Sequence, residues 1–365
     1  MTTVIAPTYA QKRQALMQYY KQGVKPVDPR QPIAEDLAQE MVQQLKLYGI
    51  PKDAKIGVFD TFLTLTLTLI EHGYNNIVYL ENTHTNLTPN QEKYYTTIEK
   101  GCAKLNVTYY VPPMNNYKRC NMDFDVIIGN PPFQDSKHDA KKNSLWKQFV
   151  DFSWDRCTVL SLIVPASFTS PAVRFEEVKP YLKHLSFNVK KHFPGVGVQF
   201  CRFVLDKNHV GPCTIESYQG DIFELDLSTQ TGIPETITPQ LIEDANSIFL
   251  NTRVWQKTCE YHTQQKKKFS DDGVIDVIHG AQVLKTNFQH PNNEKIRVQC
   301  PTTKHPVFTV IQNTGLSQTH IWTEVDSVEE GEELCERLNS DKVQKVLRQY
   351  KWANMYYPQT IKQLG

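Results

Sequence analysis

The first half of this sequence predicts an α/β fold built on a doubly wound, mostly parallel sheet, and three features of the chain predict it. Short apolar runs rich in β-branched residues recur at Lys55–Asp60, Ile77–Leu80, Asn106–Val111, Asp125–Ile128 and Val159–Val164. Helix-length stretches, Phe62–His72 and Asn90–Leu105, separate the first three of them, and strands that alternate with helices form parallel sheets through right-handed crossovers. The runs are apolar throughout rather than at every second position, as strands covered on both faces are.

The flanking elements follow from the same periodicities. Residues 1–50 read as helical: Ile33, Leu37, Met41 and Leu45 recur at helical spacing in IAEDLAQEMVQQL. The preceding PVDPRQP bars a helix before this stretch and favours its start. After the fifth run, Leu185–Val189 and the pair Val196–Asp206 and Cys213–Tyr218 read as an antiparallel addition on one edge. From 206 to 250 the chain turns polar, with one helix at Gln240–Leu250, as a passage between domains does. The Lys266–Lys268 run then leads into short strands at Val274–Val283, Ile296–Val298, Val307–Gln312 and His320–Trp322. Two helices, near Glu329–Ser340 and Lys342–Tyr350, close a smaller mixed α+β domain. The expected division is 1–250, including the helical segment 1–50, and 251–365.

Composition narrows the function classes. A chain of 365 residues, 40% hydrophobic and 22% charged, is large enough for one large or two ordinary cores and is globular in kind. No apolar run approaches the roughly 20 residues of a spanning helix, and MTTVIAPTYAQKRQ lacks a signal-peptide core. Eight cysteines are scattered without the paired spacing of a zinc knuckle or redox dithiol, which suits a reduced, cytoplasmic compartment. Histidines are isolated, so no metal is expected. Forty basic against 39 acidic residues leave a net charge of +1. Nucleic-acid binding, if present, must therefore use a local basic face.

The stretch with most chemical content is FDVIIGNPPF, Phe124–Phe133. An apolar strand ends at Gly129 and Asn130-Pro131-Pro132-Phe133 follows at once. Two prolines make a rigid turn that presents carbonyls without donors. The Asn side chain adds an acceptor oxygen and a donor amide, and a flat ring comes next. Such a turn suits a planar molecule with an amine, and in an open parallel sheet it lies where ligands bind, beyond the carboxyl ends of the strands. The bland reading is a turn that merely connects strand to helix.

On these residues the chain resembles the adenine-specific (N6) DNA methyltransferases of restriction–modification or phage type, which join an N-terminal catalytic domain to a C-terminal target-recognition domain. Asn130, Pro131, Pro132 and Phe133 match that family's catalytic motif residue for residue. The resemblance implies a Rossmann-like, S-adenosylmethionine-dependent fold and site-specific methylation of the N6 amine of a flipped adenine in double-stranded DNA. It implies that the Asn130 side chain and the Pro131 carbonyl accept the amine protons while Phe133 stacks on the base, which must leave the duplex to be reached. His192-Phe193-Pro194 is a second match, with Phe193 as the ring on the other face of the base; the following GVGVQFCRFVLDK resembles the family's late strand pair. Packing in the core is the plain alternative for Phe193.

The resemblance also implies a donor site. Glu81, at the end of the second strand, would take the ribose hydroxyls, with Asp60, Thr61 and Asn130 nearby and Pro29 in the segment before the first helix. One departure stands out. Where the family has a Gly-rich loop after its first strand, this chain reads Val58-Phe59-Asp60-Thr61-Phe62-Leu63-Thr64, with no glycine before Gly73. Side chains are expected in space that a donor uses, with Thr61 and Thr64 as replacement donors of hydrogen bonds or simply as the start of a helix.

For DNA, Lys137, Lys141 and Lys142 lie in a basic loop beside the catalytic turn, and Lys285 lies in the second domain among Gln282, Asn287 and Gln299. Either they contact phosphates and bases or they form a solvated charged surface. The chain is expected as a monomer acting on double-stranded DNA in the cytoplasm of a bacterial or phage-infected cell, without membrane or metal. Three alternatives share the pattern: a catalytically silent DNA-binding relative, methylation of RNA adenine, and methylation of a protein glutamine amide.

Overall fold

The computed structural model describes residues 14, 32–81, 88–111, 122–133, 145–193, 199–257, 260–262, 269–303, 305–350 and 358–365. The chain divides into two compact units, 1–165 with 180–226, and 166–179 with 227–365. The break after Asp226 lies upstream of the boundary expected at residue 250 and within the polar stretch 206–250. Residues 166–179 belong to the second unit because Thr169 and Ile233 exchange hydrogen bonds (Ile233 N to Thr169 O, 2.9 Å; Thr169 Oγ1 to Ile233 O, 2.7 Å), and Lys179 Nζ donates to the Gln230 carbonyl at 2.6 Å.

The first unit begins with α1 (Glu35–Leu47), whose Leu37, Met41 and Leu45 are fully buried on the expected face. Then come β1 (Ile56–Phe59), α2 (Thr64–Glu71), β2 (Ile77–Leu80), α3 (Pro89–Lys104), β3 (Thr108–Tyr110), β4 (Phe124–Gly129), α4 (Leu145–Arg156) and β5 (Cys157–Pro165). The helix α3 starts on a capping box between Thr88 and Gln91, with Pro89 in its first turn. Strands β6 (Leu182–Ser186), β7 (Phe200–Asp206), β8 (Cys213–Glu216) and β9 (Ile222–Leu225) complete a nine-stranded sheet of order β3-β2-β1-β4-β5-β7-β6-β8-β9. The first five strands run parallel, and β7 is antiparallel to both β5 and β6. This is a Rossmann-like, doubly wound, mostly parallel sheet with the antiparallel β7 inserted between β5 and β6.

One local expectation is corrected. The late strands do not form a simple antiparallel edge: β6 lies between β7 and β8 and pairs with β8 in parallel. All seven residues of β7 are buried, since it lies inside the sheet; such long-range pairing leaves no mark on local periodicity. In α2, which lies within the helix-length stretch Phe62–His72, Thr64-Leu65-Thr66-Leu67-Thr68-Leu69 alternates in polarity and is buried along its length. The hydroxyls stay satisfied: Thr68 Oγ1 donates to the Thr64 carbonyl at 2.9 Å and Thr66 Oγ1 to the Asp60 carboxylate at 3.0 Å.

The second unit contains α5 (Val173–Val178) and α6 (Pro239–Asn246), then seven short strands and the helices α7 (Val328–Asn339), α8 (Asp341–Gln349) and α9 (Pro358–Ile361). Strands β10 (Gln256–Lys257), β13 (Arg297–Pro301), β14 (Thr309–Ile311) and β16 (His320–Glu324) form an antiparallel sheet, and β11 (Ile275–His279), β12 (Gln282–Thr286) and β15 (Gly315–Leu316) form a smaller one. Trp255, Phe308, Leu334 and Leu347 pack into the core of this mixed α+β unit. Among the described residues, no helix is long and apolar enough to cross a membrane.

Candidate active site at the carboxyl edge of the sheet

Strand β1 pairs with β2 on one side and β4 on the other, so the chain winds outward from β1 in both directions. The crevice beyond such a switch point is where doubly wound sheets bind ligands. Three residues picked out from sequence end these neighbouring strands: Glu81 after β2, Asp60 after β1 and Asn130 after β4. Their exposures are 1%, 0% and 1%. Burial, reinforced by the charges of Asp60 and Glu81, pushes the thiol of Cys102 on α3 up to about 12, which keeps it inert near neutral pH.

The Asn-Pro-Pro-Phe turn is anchored to β1 through its backbone. Asn130 N donates to the Phe59 carbonyl at 2.9 Å. Gly129 has φ of 149°, and a Cβ there would collide with that same carbonyl. Only glycine lets β4 end so close to β1. Pro131 and Pro132 are buried and Phe133 is half-buried.

The aromatic arrangement differs from the expected sandwich. Phe133 stacks on Phe200, at a centroid separation of 5.0 Å and 30° between planes. Phe200 in turn meets Phe193 at 5.1 Å and 55°. Phe193 is 3% exposed and packs in the core with α1, while His192 Nδ1 lies 3.1 Å from Asp36 Oδ1 on that helix. The two residues expected to face each other across a base thus both contact the buried ring of Phe200. Sequence reading passed over Phe200, whose only local signal is an aromatic opening a buried strand.

The turn after β1 resolves the missing glycines. Phe62 and Leu63 adopt the left-handed conformation themselves, with φ of 61° and 60°. Each costs roughly 1–2 kcal/mol relative to right-handed backbone, and burial offsets it. The Phe62 ring packs edge-on against Tyr94 at 5.4 Å, and Leu63 lies against Gly101 on α3, where a Cβ would be only 2.8 Å from Leu63 Cδ1. The two side chains thus point into the core, and the turn keeps its shape without glycine.

Asp60 holds this turn together instead of facing outward. Its carboxylate accepts from Thr61 N at 2.7 Å, Thr66 N at 2.9 Å and Thr66 Oγ1 at 3.0 Å, and Tyr79 Oη donates to its carbonyl at 2.6 Å. With those acceptor positions used inside the loop, Asp60 is an organiser of the site. Thr61 Oγ1, by contrast, is buried without a hydrogen-bond partner among the described residues.

Burial pushes the Asp60 carboxyl up to about 6, only partly countered by bonds from Thr66 and Thr61. The unfolded value is about 4, so the folded state holds the proton more tightly. The stability this gives is fully present below pH ~4 and is lost as pH rises through about 6. Asp60→Asn cannot ionise, so the melting temperature of the wild type relative to this variant should fall between pH 4 and 7. A difference that stays constant over that range would show that the buried charge is fully compensated.

Pro29, Lys137, Lys141 and Lys142 lie outside the described residues, as do Lys266–Lys268, Lys304 and Pro194. Lys285 is exposed on β12. No group of three or more His, Cys, Asp or Glu residues able to hold a metal occurs among the described residues.

Residues 45–191, from α1 to the loop before Phe193, match the family described as Eco57I restriction-modification methylase. No curated protein matches the chain significantly. Solved structures with a similar fold include an O-methyltransferase from Bacillus cereus in complex with SAH (12% identity, 56% of this chain and 94% of that one, TM-score 0.34). TrmN from Thermus thermophilus is 16% identical over 47% of this chain and 48% of that one, with a TM-score of 0.32. The 23S rRNA methyltransferase ErmE is 9% identical over 48% and 69%, with a TM-score of 0.35. The family match lies on this sheet and supports methyltransferase chemistry in the first unit.

Proposed function

We propose that the chain transfers a methyl group from S-adenosylmethionine to the N6 amine of an adenine extruded from duplex DNA. The observation that carries this reading is the Asn130–Phe133 turn, fixed to β1 by Gly129 and by the bond from Asn130 N to the Phe59 carbonyl, at the switch point of the sheet. A rigid pair of acceptors beside a half-buried ring suits a flat molecule with an amino group.

The residues fit the donor. Glu81, buried at the end of β2, suits two ribose hydroxyls as bidentate acceptor. The buried Thr61 hydroxyl, with no partner among the described residues, has a hydrogen bond to give. Phe62 and Leu63 turn inward, so the loop leaves room that its sequence appeared to fill. When bound, S-adenosylmethionine supplies a methyl carbon made electrophilic by its sulfonium.

The protein's part is to hold and polarise the acceptor. Asn130 Oδ1 and the Pro131 carbonyl accept the two N6 protons, which draws the nitrogen toward tetrahedral geometry and turns its lone pair to the methyl group. Phe133 stacks on the base and fixes its plane. Held in this way, the nitrogen would be aligned for in-line attack on the methyl carbon that bound S-adenosylmethionine would supply, with S-adenosylhomocysteine as the leaving group and the surplus N6 proton passing to solvent. No covalent enzyme intermediate is needed; orientation and preorganised dipoles supply the rate. Sequence reading is assigned to the second unit, with Lys285 on its exposed β12 strand as one phosphate contact, and Lys137, Lys141 and Lys142 as others beside the turn.

The test offers the full chain and isotopically labelled donor to unmethylated genomic DNA, to cellular RNA and to bacterial release factors. Label recovered as N6-methyladenine from DNA is the expected result. Label confined to RNA or protein would move the acceptor to another class. Donor binding by calorimetry without transfer to any acceptor would make the chain a silent relative.

A further inference from the structure

We propose that Phe200 is a positioning residue: it backs the Phe133 ring and fixes its plane, so that the target base stacks on the opposite face of Phe133. The inference rests on the amine-methylation reading above and names a residue it does not contain.

Phe200 contacts both rings, stacked on Phe133 at 5.0 Å and tilted against Phe193 at 5.1 Å. It is 2% exposed and opens a strand held on both sides, by β5 through Pro165↔Phe200 and Cys201↔Val164 and by β6 further along. A base stacking on the face of Phe133 that Phe200 covers would have to expel this ring from the core, leaving a cavity of the kind that makes large-to-small substitutions costly. The opposite face is the one that Phe200 does not cover. That ring is only half-buried and follows a turn whose two prolines fix its backbone. Its remaining freedom is rotation of the side chain. The offset stack against Phe200, at 30° between planes, is the geometry in which aromatic pairs attract, and it restrains that rotation. A base can stack in line with the donor only if the ring beneath it keeps a single plane.

The test is a double-mutant cycle in turnover on unmethylated genomic DNA, using the full chain. Phe200→Leu alone should lower kcat about tenfold, one decade for each 1.4 kcal/mol of lost stacking, with KM for DNA nearly unchanged. In a Phe133→Leu background the same change should cost less than about twofold, because the ring it positions is gone. If the two losses instead multiply, Phe200 is merely structural and the proposal is overturned. Melting temperatures identify a variant that has not folded. Phe200→Met, which keeps much of the volume and removes the flat face, then completes the same cycle. A wild type that transfers no methyl group to DNA overturns the methylation reading and this inference with it. An active wild type with multiplying losses overturns Phe200 alone.

Discussion

Asn130→Ala should lower methyl transfer by at least about two orders of magnitude, the cost of removing one acceptor or donor aimed at a developing charge, with the fold intact. The fold survives because the turn is anchored by backbone: the bond from Asn130 N to the Phe59 carbonyl and the close approach at Gly129 do not use the side chain. On the proposed mechanism, what disappears is one of two acceptors for the amine protons, and the Pro131 carbonyl alone would not orient the nitrogen. Turnover with labelled donor and melting temperature together check this. Donor affinity, read by calorimetry, should weaken far less than turnover. A variant that methylates DNA at close to the wild-type rate would remove the turn from the mechanism.

The second large effect belongs to stability. Arg297→Ala should destabilise the second unit by roughly 3–5 kcal/mol, as breaking a buried ion pair from one side does. The Arg297 side chain is 0% exposed and that of Glu260 4%. The guanidinium donates to Glu260 at 3.1 and 3.3 Å and to the Thr314 carbonyl, and it lies 5.2 Å from the centre of the Trp322 ring. Without it, the Glu260 carboxylate loses its guanidinium partner and remains buried beside an emptied space, although the bond from Asn292 Nδ2 at 2.9 Å stays. At about 2–4 °C per kcal/mol for a unit of this size, its melting transition should drop by roughly 10 °C. Arg297→Met with Glu260→Leu should recover much of the loss, since apolar replacements remove both desolvated charges. A single variant that melts with the wild type would mean that the pair is solvated in practice.

Much of the first unit was legible because its signals are local. Five continuously apolar runs became β1 to β5, and the face of Ile33, Leu37, Met41 and Leu45 became the buried face at α1. The Asn-Pro-Pro-Phe turn was legible for a related reason: proline and glycine constrain the backbone wherever they stand. Its neighbours Glu81 and Asp60 could be nominated as strand ends, but not their roles. That the Asp60 carboxylate turns back to Thr61 and Thr66 depends on how tightly the loop closes over it.

Other features were decided by contacts between distant parts of the chain. Phe62 and Leu63 carry no signal for left-handed backbone; they adopt it because α3 offers Tyr94 and the gap at Gly101 to receive their side chains. The helix at α2 was expected from sequence, but not that Asp60 and the helix backbone take up its threonine hydroxyls. Residues 166–179 belong with a segment some 60 positions later, through bonds such as Thr169 Oγ1 to the Ile233 carbonyl. Phe200 reaches Phe133 only once β7 is placed between β5 and β6. Periodicity and turn chemistry act over a few residues, so they fix strands, helices and rigid corners. Which rings meet, which carboxylates are enclosed and which strained backbone survives depend on burial energy shared among segments that only the folded chain brings together.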